Sequence, residues 1–101
     1  MEVNKEIRRA VDTGKIAFGQ RQCLKNLAKG IGELVIVSET LPVNEKEKIA
    51  HIAKIENKKF YVFGGNGQAL GSVCGKPFVV STMLVLDAGK SKVLEAAETP
   101  Q

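Results

Sequence analysis

Arg21, Lys25 and Lys29 recur every fourth residue, and Gln22 and Asn26 repeat the same step one position on. On a helix that spacing gathers the cations and amides on one face. Cys23, Leu24, Leu27 and Ala28 fall on the other and are expected to be buried. Gly19-Gln20 stands directly before this helix, at the end of a short strand candidate, Lys15-Ile16-Ala17-Phe18. The first N–H groups of a helix have no intrahelical acceptor and attract phosphate oxygens. A glycine, a positive dipole end, an amide and an arginine together suit both phosphates and base edges.

A second group closes a glycine-dense stretch. Five of the ten glycines fall between Phe63 and Phe78, and the stretch ends Gly75-Lys76-Pro77-Phe78. A connecting loop needs none of the last three residues. An exposed Phe78 would offer a stacking surface for an unpaired base; the plainer reading is an aromatic that seals a sheet edge.

The charge is unevenly placed. Residues 1–30 hold seven basic groups against three acids, whereas the rest of the chain holds eight of each. The whole net charge of +4 therefore lies in the first third, which suggests a polyanionic partner.

Enzymatic motifs do not assemble. Gly65-x-Gly67 would need a glycine at Leu70 and an acid about 20 residues on to bind a dinucleotide, and the next acid is Asp87. Gly89-Lys90-Ser91 resembles the end of a phosphate-binding loop, but Leu84 stands where its first glycine belongs. His51 is the only histidine and reads as a solvated or half-buried helix residue. The pairs Glu45/Glu47 and Glu95/Glu98 read as solvent-facing helix surface. Cys23 and Cys74 are too few for a zinc site and read as buried, reduced thiols. No catalytic residue, metal or cofactor is expected.

These residues have to be positioned by a single small domain, residues 1–101, with 44% apolar and 26% charged residues. No apolar run approaches the roughly 20 residues of a membrane span. The charged N-terminus does not resemble a secretory signal, so a cytoplasmic protein without membrane contact is expected. Val3, Ile7, Ala10 and Val11 predict a helix over 4–13, stopped at Gly14, and the basic helix runs from about Gln20 to Lys29. Leu34-Val35-Ile36-Val37 reads as a central strand covered on both faces. After Leu41-Pro42, Asn44 and Glu47 form a capping-box pattern ahead of a helix over 45–57 that presents Ile49, Ile52, Ala53 and Ile55. Phe60–Phe63 is a buried strand, and 68–74 has room for a short helix. Val79–Leu86 is the longest strand, 91–97 a last helix and 98–101 a frayed tail. The alternation predicts the α/β class, a three-layer α/β/α sandwich with a four-stranded sheet.

Thr13-Gly14-Lys15, Gly19, Leu34-Val35-Ile36-Val37, Pro42, Leu70-Gly71 and Gly75-Lys76-Pro77-Phe78 occur here in an order and spacing that resembles a known family. It is the archaeal and eukaryotic large-subunit ribosomal family "L thirty e", within the kink-turn RNA-binding superfamily. The resemblance covers about Asn4 to Leu94. It implies a mixed sheet, no enzymatic activity, and a place in the large subunit with rRNA and neighbouring ribosomal proteins as partners. The free protein would be a monomer. Carried over, Gly19, Gln20, Arg21 and Gln22 would face the sheared G·A region of a kink-turn, with Lys25 on the nearby backbone. Glu39-Thr40-Leu41-Pro42 would form a second RNA loop, with Thr40 and Pro42 as its contacts. Gly75, Lys76, Pro77 and Phe78 would form the third, the aromatic meeting flipped-out nucleotides. Gln20-Arg21-Gln22 replaces the Asn-Glu pair usual in guide-particle relatives and favours the ribosomal branch. Thr40 and Ala69 replace an asparagine and a glutamate found in many members. Two other readings are a kink-turn protein of a small ribonucleoprotein particle and a nucleotide-binding α/β module that uses the glycines as a phosphate cradle.

Overall fold

Val3, Ile7 and Ala10 wind one apolar stripe along helix α1 (Val3–Thr13), which ends at Gly14 as the sequence predicts. The computed structural model describes residues 3–98. Strand β1 (Lys15–Phe18) leads through Gly19 into helix α2 (Gln20–Ala28). There follow β2 (Leu34–Ser38), α3 (Val43–Ile55), β3 (Lys59–Phe63), α4 (Gly67–Val73), β4 (Thr82–Asp87) and α5 (Val93–Glu98). The strands form one sheet in the order β1-β4-β2-β3. β4 runs antiparallel to both β1 and β2, and β2 is parallel to β3. The sheet is therefore mixed.

Strand periodicity divides the core between the two faces. Leu34 and Ile36 of β2, with Met83 and Val85 of β4, face α1, α4 and α5 through Ile7, Ala10, Leu70, Cys74 and Val93. Val35, Val37 and Leu84 point the other way, onto Cys23 and Leu27 of α2 and Ile49 and Ala53 of α3. Every residue of β2 is buried, which is why that run is apolar without alternation. Polar pins fix α5 against α1. Glu6, almost fully buried, accepts from the Lys92 N–H at 2.7 Å, and Thr13 Oγ1 accepts from the Lys90 N–H at 3.0 Å.

Local details depart from the sequence expectations. The Asn44–Glu47 capping box does not form: Pro42 occupies the cap position and Val43 opens α3, which puts Asn44 inside the first turn. Ala28 and Ile55 lie at the C-terminal ends of their helices and are exposed. β3 is a sheet edge rather than a buried strand, and its Val62 faces solvent. β4 begins at Thr82 instead of Val79, because the Val80 N–H is taken by the Gly67 carbonyl of α4 at 2.9 Å. Of the tail expected to fray, 99–101 lie outside the described residues. No helix among the described residues is long and apolar enough to cross a membrane.

Candidate nucleic-acid interface

One end of the sheet gathers the segments singled out in the sequence. β1 and β2 finish there, β4 starts there, and the backbone ties the connections together. The Gly19 N–H donates to the Thr82 carbonyl at 3.0 Å, and the Ser38 N–H donates to that of Ser81 at 2.9 Å. The Glu39 N–H reaches the Gly65 carbonyl at 2.9 Å. The start of α2, the β2–α3 loop and the β3–α4 turn are thus held against one another by main-chain bonds rather than by long side chains.

At the start of α2, Gly19 has φ 93° and ψ 142°, a region that only glycine occupies without strain. No side chain caps the helix. Its first turn carries no acid, and the first helical bond runs from the Cys23 N–H to the Gly19 carbonyl. The N–H groups of Gln20, Arg21 and Gln22 therefore lack intrahelical acceptors. A Cβ on Gly19 would meet nothing within 4 Å, so the space above this backbone is open. Arg21, Gln22 and Lys25 are exposed. Gln20 is half-buried, and its amide Nε2 donates to Glu45 Oε2 in the first turn of α3. One N–H of the Gln20 amide is thus engaged by the protein.

In the β2–α3 loop, Thr40 is exposed and its hydroxyl lies 3.4 Å from that of Ser38. Leu41 is buried in the core below it. Pro42 is exposed and serves as the cap of α3, and Lys46 Nζ donates to the Glu39 carbonyl at 2.7 Å. The loop is braced from both sides.

The loop between α4 and β4 places Phe78 at the surface, 49% exposed, beside Val79 at 67%. Phe78 meets Phe18 edge to face with ring centroids 5.8 Å apart, and Lys76 Nζ lies 5.5 Å from the Phe18 ring centre. This aromatic–cation stack joins the loop to the strand that ends at Gly19. Lys76, Pro77, Phe78 and Val79 line a cleft of about 280 Å³ with Gln68 and Ser72 of α4. Gly75 sits at the back of the loop, against the Arg8 guanidinium of α1. Gly71 lets α4 close on the loop, since a Cβ there would fall 2.2 Å from the Phe78 carbonyl oxygen. Asn66 Oδ1 caps α4 by accepting from the Ala69 N–H at 2.8 Å. Within the upstream half of the glycine stretch, Asn66 is thus spent on a cap and Gly67 and Gly71 on close packing, while the backbone at Gly64 is open.

Neither cysteine belongs to this surface. Burial pushes the Cys23 thiol up to about 12 and the Cys74 thiol to about 11, the latter opposed by the charges of Lys76 and Arg8. His51 is exposed on α3. Among the described residues no three His, Cys, Asp or Glu side chains gather as metal ligands.

Sequence reasoning missed three participants: Phe18, Glu45 and Arg8. Phe18 had a signal, because the last residue of a strand shares the sheet end with the glycine that follows it. Glu45 and Arg8 had none, because their partners, Gln20 and the backbone at Gly75, are distant in sequence.

Over residues 1–95 the chain matches the family described as ribosomal protein L7Ae/L30e/S12e/Gadd45. It is 42% identical over 98 residues to the large ribosomal subunit protein eL30 of Methanocaldococcus jannaschii, covering 97% of this chain and 89% of that one. It is 40% identical to the eL30 protein of Methanosphaera stadtmanae, covering 97% of this chain and all of the relative. The eL30 protein of Methanothermobacter thermautotrophicus is also 40% identical, over 94% of this chain and 97% of its own length.

Proposed function

The chain belongs to the ribosomal protein L7Ae/L30e/S12e/Gadd45 family, and from that premise we propose that it is a structural, non-enzymatic component of the large ribosomal subunit. In this reading it works on the cytoplasmic ribosome, where it binds and stabilises kink-turn-type rRNA through the start of α2 and the loop before β4.

The observation that carries the reading is the convergence of an open helix start and an exposed aromatic. Gly19 presents unshielded backbone, with Arg21 and Lys25 exposed on the helix beyond it. Phe78 stands across Phe18 from that backbone, half-exposed and propped by a second ring. A sharply bent RNA offers matching chemistry: crowded phosphates on one side of the bend, and unpaired bases turned out on the other. The cations attract the first, and the Phe78 face stacks on the second. Thr40 and Pro42 flank the same end on a braced loop, so the surface is largely formed before RNA arrives. A preformed surface binds without first ordering its own loops.

Titration of a kink-turn duplex against a straight duplex of equal length, at two salt concentrations, tests the reading. Selective binding of the bent RNA is expected at both, weaker at the higher salt. Equal affinity for the two duplexes would refute it. RNA recovered with the protein from cells is expected to be large-subunit rRNA; recovery of a small guide RNA would move the protein to another particle.

A further inference from the structure

Glu45 places a carboxylate at the point where the N-termini of two helices meet. β1 and β2 are both antiparallel to β4, so α2 and α3 leave the same end of the sheet side by side, packed through Cys23, Leu27, Ile49 and Ala53. Both helix dipoles direct their positive ends there, which favours an anion between them. Glu45 lies in the first turn of α3, and its Oε2 accepts from Gln20 Nε2, on the first residue of α2.

We propose that Glu45 is a positioning residue that fixes which end of the Gln20 amide faces the RNA, so that the start of α2 selects an exocyclic amino group on the base it meets. The inference rests on the RNA-binding reading above. An ionised carboxylate can only accept hydrogen bonds, whereas an amide has a donating and an accepting end. Glu45 therefore holds the NH2 end of Gln20, and the Oε1 end points away from it. An amide free to flip would accept an amino group or donate to a carbonyl equally well. The second N–H stays on the nitrogen beside Glu45, so the end of the amide turned away from Glu45 presents an acceptor, which pairs with the amino groups of guanine, adenine or cytosine. A base carbonyl at that spot would set two acceptors against each other, and such mismatches discriminate strongly because desolvated polar groups are left unpaired.

The same charge decides what kind of RNA group sits there. A carboxylate beside the first turn of α2 repels a phosphate at that point, so the phosphates fall to Arg21 and Lys25 while a base edge meets Gln20. The phosphate half of the role read for this helix start from the sequence thus shifts along α2, and the base-edge half stays.

The test is a binding series on the kink-turn duplex in which each guanosine of the G·A pairs is replaced by inosine, which lacks the 2-amino group. Each adenosine is likewise replaced by purine riboside, which lacks the 6-amino group. The full-length protein and its Gln20→Ala and Glu45→Gln variants are titrated against every RNA, with thermal melts to establish that both variants fold. One replacement is expected to weaken the unaltered protein about three- to tenfold and to leave Gln20→Ala unaffected. In Glu45→Gln, where residue 45 can also donate, that penalty is expected to fall below about twofold. Glu45→Ala frees the amide as well and carries the same expectation if Glu45→Gln does not fold. Equal penalties in the unaltered protein and Gln20→Ala, or an undiminished penalty in the residue-45 variant, would overturn the positioning role alone. Failure of the unaltered protein to prefer the bent duplex would overturn it together with the reading beneath it.

Discussion

Phe18 and Phe78 meet at an interplanar angle of 86°, ring centroids 5.8 Å apart, although sixty positions separate them in the chain. One ring ends β1 immediately before Gly19, and the other tops the loop before β4. The contact couples the two segments proposed to hold RNA, so the position of the stacking aromatic depends on the strand that delivers the helix start.

Phe78→Ala is expected to weaken binding of a kink-turn RNA by roughly 1–3 kcal/mol, the usual worth of a base–aromatic stack. Because the ring is 49% exposed, the fold should lose much less. Phe18→Leu keeps an apolar filler but removes the edge-to-face support, and it should weaken binding by a smaller amount. A double-mutant cycle between the two is expected to return a coupling of about 0.5–1.5 kcal/mol. Full additivity would mean that Phe18 does not position Phe78.

Arg21→Ala and Lys25→Ala should act through salt rather than shape. Each exposed cation that sits on a phosphate contributes about one unit to the slope of log affinity against log salt. Each single variant is therefore expected to flatten that slope by about one, and the pair by about two. A variant that lost affinity equally at every salt concentration would place its cation on a base edge instead.

Two glycines should fail for different reasons. At Gly19 a side chain has room but the backbone does not suit it, since φ is 93° and nothing lies within 4 Å of the added carbon. Gly19→Ala should cost about 1–3 kcal/mol in urea unfolding, from backbone strain. At Gly71 the backbone is helical, but an added carbon would fall 2.2 Å from the Phe78 carbonyl oxygen. Gly71→Ala should therefore displace the loop and weaken RNA binding as well as stability. Unchanged RNA binding in Gly71→Ala would separate the loop from the interface.

The architecture was legible where local pattern and burial agree. The length and β-branching of Leu34–Val37 favour a strand covered on both faces, which β2 is, and its register with β4 follows from which side chains each face buries. The stripes of α1 and α2 were equally plain, and so was the open backbone at Gly19. What stayed hidden depends on partners brought together by the tertiary fold. Glu45 reads as an ordinary solvent-facing acid until α3 is laid beside α2, and Phe18 reads as strand filler until the loop before β4 folds over it. The cap of α3 misled for a local reason: Asn44 and Glu47 fit the capping pattern, but the proline two residues ahead of Asn44 already had the extended geometry to start the helix at Val43.

The thiols give the fold a pH signature with a definite sign. Burial lifts Cys23 from the ordinary 9.0 to about 12, and Cys74 to about 11 despite the nearby charges of Lys76 and Arg8. Between pH 9 and those values the folded chain keeps protons that the unfolded chain gives up. The stabilising contribution of both thiols is therefore complete below pH 9 and is lost as the pH rises through 11 to 12. The urea midpoint of the unaltered protein should fall across that window. A Cys23→Ala, Cys74→Ala double variant should be less stable at neutral pH, because it leaves small cavities on both faces of the sheet, and should show a shallower decline above pH 9. Thiolate absorbance near 240 nm, taken as the difference between the unaltered protein and the double variant so that the Tyr61 signal cancels, provides the measurement: in the native protein it should stay flat at pH 9 to 10, and in urea it should rise there. Native thiolate at pH 9 would show that the two sulfurs are open to water, contrary to their 1% and 2% exposure.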